Sequence, residues 1–265
     1  MASEKGSKIN QLLKKWPSDV VAVLPWLEKQ GAYQQLMHEY EKTAWVRRIG
    51  RGTYAREGDK VEWMGGLYAL QEQLGLPVHA GGKTALSVQG YGHFLPMGQG
   101  MTVTLFGFPN VKLPLWFKQY RWGVKLRYTT TNVFMSQNKR SFTQKDMGSY
   151  AVRVSTPERA MMEVLYEVPK RESYEEAKLL MEGLTTLRPR LMQALLEDCA
   201  SVKVKRLFMV LAESCKHAWV KKLDLSQVEF GKGKRMLVKG GWLNTTYNIT
   251  VPENRKGRTA TEGGA

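Results

Sequence analysis

Cysteine and histidine are scarce in this chain, and acidic residues are outnumbered by basic ones. Cys199 and Cys215 are the only two cysteines among 265 residues. Both fall in helix-patterned segments without metal-ligand spacing, which excludes a disulfide framework and suits free buried thiols in a reducing compartment. The four histidines, His38, His79, His93 and His217, are scattered, so ordinary uses of imidazole outweigh a catalytic or metal role for any one of them. Walker A, HExxH and GxSxG motifs are absent. Gly90, Gly92, Gly98 and Gly100 have the wrong spacing for a dinucleotide loop, and no acidic ribose partner follows. Paired carboxylates of the kind that hold metals for nuclease or nucleotidyl-transfer chemistry are also missing. We therefore expect no catalytic residue, no bound metal and no cofactor. No apolar run is long enough to span a bilayer, and MASEKGSKIN lacks the apolar stretch of a signal peptide. A cytoplasmic protein without membrane contact is expected, and Asn244-Thr245-Thr246 and Asn248-Ile249-Thr250 read as strand residues rather than glycosylation sites.

Forty Lys+Arg against 24 Asp+Glu leave a net charge of +16, and 43% of the residues are hydrophobic. Such a chain folds around a real core, most simply in two domains. Its charge exceeds what solubility requires and points to a polyanion or an acidic protein partner.

The residues from Gln30 to Arg56 give that charge a shape. Tyr33, Leu36, Met37 and Tyr40 recur at helical spacing, which leaves Gln34, Gln35, His38, Glu41 and Lys42 on the opposite face. A β-prone run from Trp45 to Ile49, a Gly50-Arg51-Gly52 tip and Thr53-Tyr54 follow as a small basic hairpin. Upstream, helices are expected over Lys8 to Lys15, capped by Ser7, and over Trp26 to Gln30, opened by Pro25 and closed by Gly31. Helix, helix, turn, helix, hairpin is the order of a winged helix-turn-helix, with Trp16, Trp26, Leu27, Leu36, Tyr40, Trp45 and Ile49 as its core. In that reading one of Gln34 and Gln35 can meet a base edge, beside His38. Lys42, Arg47, Arg48 and Arg51 would meet phosphates of double-stranded DNA.

Further along, Trp63 to Leu74 reads as a helix in spite of Gly65 and Gly66, a pair that implies close packing. Strands are expected at Met101 to Phe106, Leu115 to Phe117, Val124 to Thr130 and Ala151 to Val154. Eight basic and no acidic residues lie between Lys112 and Lys145. Lys118, Arg121, Lys125, Arg127, Lys139 and Arg140 could form a second basic surface, or the solvated face of a sheet over an aromatic core. Capping boxes at Ser155 and Ser173 open helices, two more follow from Pro189 and Val204, and Arg235 to Lys239 with Trp242 to Val251 read as a terminal hairpin. Gly231-Lys232-Gly233-Lys234-Arg235 has the composition of a phosphate cradle or of a basic hairpin entry. The fold class is α+β: an N-terminal winged helix-turn-helix domain with a connecting helix (1–92), a larger mixed α/β domain (93–252) and a disordered tail (253–265).

Five stretches, SKINQLLKKWP, WLEKQG, WVRRIGRGTY, GLYALQEQLGLPVHAGGKTAL and VSTPERAMMEVL, resemble the AbiEi antitoxins of abortive-infection toxin–antitoxin operons. The resemblance implies that the N-terminal domain binds inverted repeats in the operon's own promoter, with Arg47, Arg48 and Arg51 in the wing. It also implies that the larger domain is an antitoxin domain opposing a cognate nucleotidyltransferase-like toxin, by direct contact or downstream. Two other readings stay open: a stand-alone winged-helix regulator whose C-terminal domain senses a ligand, and a DNA-processing enzyme with a divergent active site.

Overall fold

The computed structural model describes residues 2–92, 101–136 and 138–252, with side chains from Lys8 onward. The expected start of the larger domain at His93 and the tail after Pro252 lie outside the described residues. Cα packing divides the chain into two compact units: Met1–Asn132 with Asn138–Thr156, and Val133–Gln137 with Pro157–Ala265.

In the first unit α1 (Ala2–Lys15) begins ahead of the expected Ser7 cap. The Trp16 indole N–H then donates to the Val20 carbonyl at 2.9 Å and turns the chain into β1 (Ala22–Val23). Pro25 sits in the first turn of α2 (Leu24–Lys29), where its missing N–H costs nothing. Gly31, at φ 82°, makes the reversal into α3 (Gln34–Lys42). β2 (Val46–Gly50) and β3 (Thr53–Arg56) form the hairpin, and the antiparallel sheet order is β1-β3-β2. Trp16, Leu27, Leu36, Met37, Tyr40, Val46 and Tyr54 are buried together beneath it. Trp45 departs from expectation, being 46% exposed. Ala44 adopts the left-handed conformation (φ 54°) between α3 and β2, and the pleat then directs Val46 inward.

α4 (Trp63–Tyr68) runs on as a π-helical turn, Ala69–Gln73. The paired glycines of α4 are sites of close approach. A Cβ on Gly65 would stand 2.0 Å from the Asp19 carbonyl oxygen, and one on Gly66 would stand 2.4 Å from the Trp122 ring. Two glutamines of the π turn complete two different sheets. Gln73 accepts from the Val23 N–H and donates to the Val21 carbonyl, both at 2.9 Å, and so covers the free edge of β1. Gln71, itself buried, accepts from the Arg153 N–H at 2.8 Å and donates to the carbonyls of Val78 and Arg153.

Arg153 belongs to a five-stranded mixed sheet of order β6-β5-β4-β8-β7. Its strands are β4 (His79–Ala80), β5 (Thr102–Gly107), β6 (Lys125–Thr130), β7 (Phe142–Asp146) and β8 (Ala151–Ser155). α5 (Gly82–Val88) packs on this sheet. Neither β4 nor β7 is among the strands expected from the sequence. Both make sense only from their partners, because β4 bonds β5 antiparallel and β8 parallel while β7 runs antiparallel to β8. The expected strand at Leu115 is instead the start of a one-turn helix, α6 (Leu115–Gln119), which Pro114 introduces and which buries Trp116 and Phe117.

The second unit holds α7 (Pro157–Glu167), α8 (Tyr174–Gly183), α9 (Pro189–Asp198) and α10 (Val202–Ser214). Ser173 caps α8 by accepting from the Glu176 N–H at 3.0 Å. Glu158 does not complete a capping box, since its buried carboxylate takes the Arg188 backbone N–H and both arms of the Arg188 guanidinium, each at 2.9 Å. The terminal strands depart from a simple hairpin at Gly240-Gly241. β10 (Trp242–Asn244) turns back to β11 (Ile249–Val251) through Asn248, left-handed at φ 51°, while β9 (Arg235–Met236) lies parallel to β11. The Asn244 side chain accepts from the Tyr247 N–H at 2.9 Å and sets that turn.

Gly65→Ala should destabilise the fold although alanine is the better helix former by about 1 kcal/mol. The clash is with backbone, which no rotamer relieves. A loss of roughly 3 kcal/mol would appear as a Tm lower by about 6–12 °C; an unchanged or raised Tm would refute the packing. At Glu158, burial pushes the carboxyl pKa up, and the Arg188 hydrogen bonds outweigh it and leave the value lowered. Its stabilisation is therefore present above the ordinary carboxylate pKa of about 4.3 and is lost as pH falls through the lowered value. Glu158→Gln should cost about 1.5–3 kcal/mol at neutral pH, and its melting curve should converge with that of the parent in acid.

Candidate nucleic-acid interface

Leu36, Met37 and Tyr40 anchor α3 to the core. At about 100° per residue, Gln34, Gln35, His38 and Lys42 then fall in one outward arc of roughly 100°, and all four are exposed. Gln34 and Gln35 occupy the first turn, the part of a groove-entering helix that reaches base edges. Glu39 and Glu41 share the helix surface, and both are engaged by bases. Lys42 Nζ lies 3.5 Å from Glu39, while Glu41 receives Arg48 at 3.0 Å and His38 at 3.6 Å. Exposed pairs of this kind contribute about 0–1 kcal/mol, so a phosphate group can displace them.

The three hairpin arginines take different roles. Arg48 projects outward from β2, paired with Glu41 and lying over the Tyr54 ring at 5.8 Å. Arg51 stands at the exposed tip, with no side-chain partner among the described residues. Arg47, expected to join them as a phosphate contact, points the other way in the pleat. Its guanidinium donates to the Tyr120 hydroxyl at 3.1 Å and to the Asp59 carbonyl at 3.0 Å. It is a strut, holding the hairpin against the segment that follows α6. Gly50 makes a second contact there, since a Cβ on it would meet the Trp116 Cβ at 2.8 Å. Sequence reading missed Tyr120 and Trp116 in this supporting role, because nothing local marks a partner about 70 positions away.

The second basic group does not form one surface. Lys118 and Arg121 are exposed on and just after α6, beside the hairpin base. Lys125 and Arg127 lie on β6, whereas Lys139 and Arg140 lie in the 3-10 turn that leads into β7. β6 and β7 are the two edges of the five-stranded sheet, about 19 Å apart at ordinary strand spacing.

Two histidines among the described residues, His79 and His217, fill ordinary positions in the interior. His79 is buried between Phe106 and Phe142, and His217 bonds the Met181 carbonyl at 2.7 Å beside Trp219. Both cysteines are free; burial raises Cys199 to a pKa of about 11. Among the described residues, no three of His, Cys, Asp and Glu gather as a metal site would require, and no helix is long and apolar enough to cross a membrane.

The chain has three helices, α1 to α3, followed by the basic β2–β3 hairpin, in the element order expected from the sequence. Two family models match it: one described as a transcriptional regulator, AbiEi antitoxin N-terminal domain, over residues 5–97, and one described as a transcriptional regulator, AbiEi antitoxin, type IV toxin–antitoxin system, over residues 100–252. The chain belongs to the AbiEi antitoxin family of transcriptional regulators. Among solved structures it is similar to the RV2827C protein from Mycobacterium tuberculosis, with a TM-score of 0.59 and 12% identity over 92% of this chain and 90% of that one. At that identity the likeness is one of fold. No curated protein matches the chain by sequence. The two family models meet near residue 100, yet β4, from the first, is the middle strand of a sheet whose other strands come from the second.

Substitution should separate strut from surface. Arg47→Ala should lower the Tm by several degrees, whereas Arg48→Ala and Arg51→Ala should leave it within about 1–2 °C, the usual range for surface changes. Equal losses at all three positions would contradict the division.

Proposed function

We propose that this protein represses its own operon by inserting α3 into the major groove and laying the β2–β3 hairpin along the adjacent phosphates. The carrying observation is the exposed arc of Gln34, Gln35, His38 and Lys42 with Arg48 and Arg51 beside it. Lys118 and Arg121, braced against the hairpin base through Trp116 and Tyr120, prolong the cationic track. Inverted repeats in the promoter suit two copies of this chain, each reading one half-site. The family description, a transcriptional regulator and antitoxin of a type IV toxin–antitoxin system, supports repression and a second activity, opposition to a toxin; that the toxin is nucleotidyltransferase-like and encoded beside this chain is part of the proposal. Lys125, Arg127, Lys139 and Arg140, on separate sheet edges, take no part in the proposed DNA track.

Binding of the full chain to its upstream duplex is the test. Arg51→Ala should weaken binding to all sequences alike and shallow the salt slope by about 1. Gln35→Ala should instead relax preference at one base pair, by about 1–3 kcal/mol. If Arg51→Ala left binding unchanged across salt, the hairpin would not be a phosphate contact. Co-expression with the neighbouring open reading frame tests the second activity, and point variants serve better than truncation. Removing the first 90 residues would also remove α4 and β4, and with them the middle of the five-stranded sheet. Full-length Arg51→Ala should still rescue growth while losing repression.

A further inference from the structure

A cleft of about 570 Å³ opens in the second unit, bordered by Arg206, Phe230, Lys232, Thr246, Tyr247 and Asn248. Arg206 is 2% exposed, and its guanidinium donates to four carbonyl oxygens, those of Phe230, Gly231, Gly233 and Asn248, at 2.6–2.9 Å. These bonds use four of its five N–H groups and leave its charge unneutralised, since no carboxylate pairs with it among the described residues. A buried cation of that kind favours an anion nearby.

The loop that Arg206 holds is built to receive one. Gly231 and Gly233 are left-handed at φ 67° and 74°, a backbone conformation found in the anion-binding concavities that successive N–H groups form. The Gly231 N–H already takes the Glu229 carboxylate at 2.7 Å. The N–H groups of Lys232, Gly233 and Lys234 have no protein acceptor among the described residues. Gly231 packs against Val202 so closely that a Cβ would stand 2.7 Å from that side chain, which holds the loop in place against the start of α10. Lys232, Lys234, Arg235 and Lys239 are exposed here, and no acidic residue occurs from Phe230 to Pro252. The Glu213 carboxylate accepts the hydroxyl of Tyr247, on the cleft wall.

We propose that this cleft binds a nucleotide, with a terminal phosphate seated in the Gly231–Lys234 loop. The volume exceeds what inorganic phosphate needs and falls within the range of small-molecule sites. Phe230, its ring centroid 5.4 Å from that of Tyr247, supplies an aromatic wall for a base, and Thr246 and Asn248 supply polar contacts. This site is independent of the DNA-facing arc.

The full chain and a Lys232→Ala/Lys234→Ala variant are compared by calorimetry and thermal melting with ATP in EDTA, with inorganic phosphate and with adenosine. ATP should bind the parent and raise its Tm, phosphate should bind more weakly, and adenosine should not bind. The variant should melt as the parent does when unliganded and bind ATP at least tenfold more weakly. Loss of two charges out of +16 leaves non-specific attraction almost intact, so a tenfold loss locates the site. Should the double variant melt low, Lys232→Met alone serves the same comparison. ATP and phosphate both silent at millimolar concentration would overturn the proposal. So would ATP bound equally by parent and variant, or a variant that loses duplex DNA while retaining ATP.

Discussion

Gln71 and Gln73 leave the π-helical turn after α4 in different directions, and each supplies one amide to the backbone of a different sheet. A side-chain amide offers a donor and an acceptor at strand-like spacing, so it can stand in for a missing neighbour. β1, two residues long, would otherwise present a bare edge, and β4 is too short to cover Arg153 of β8. The wider turn of a π-helix permits this arrangement, and Gly65 and Gly66, one turn earlier, let α4 approach Asp19 and Trp122 closely enough for the amides to reach. The hairpin domain and the five-stranded sheet are thereby one packed body in spite of the family boundary near residue 100.

That body also orients the hairpin. Arg47 and Gly50, on β2, meet Tyr120 and Trp116 of the α6 region, while Arg48 and Arg51 face outward. The proposed phosphate contacts need a hairpin whose backbone is held, and one arginine of the run is given to holding it. The acidic residues on α3 fit the same logic, because Glu41 pins Arg48 and His38 across the face at a cost that a phosphate can readily repay.

Much of the first 56 residues was legible, because short-range signals there agree with one another. Pro25, Gly31 and the i, i+3, i+4, i+7 spacing from Tyr33 specify their elements locally, and Leu36, Met37 and Tyr40 are buried as that spacing requires. The close packing at Gly65 and Gly66 was legible as a fact, but its partners were not. β4, β7 and α6 escaped notice because two to five residues carry too little pattern, and β4 exists only through its hydrogen bonds to β5 and β8. The terminal hairpin was misplaced for a similar reason. Gly240-Gly241 is the stronger local turn signal, but the Asn244–Tyr247 bond and left-handed Asn248 put the reversal elsewhere, leaving β9 to pair parallel.

Composition and periodicity by themselves determined an α+β protein with an excess of positive charge, the helix α3 with one polar and one buried side, and the hairpin of arginines that follows. Those properties belong to segments of a dozen residues, over which helical phase and turn chemistry act directly. Only the tertiary structure decided which arginine is surface and which is strut, that the basic residues of 118–140 divide among the α6 region and two sheet edges, and that Arg206 gathers four carbonyls beneath a cationic loop. Each of those depends on groups a dozen or more positions apart being brought together, and chain spacing carries no record of that.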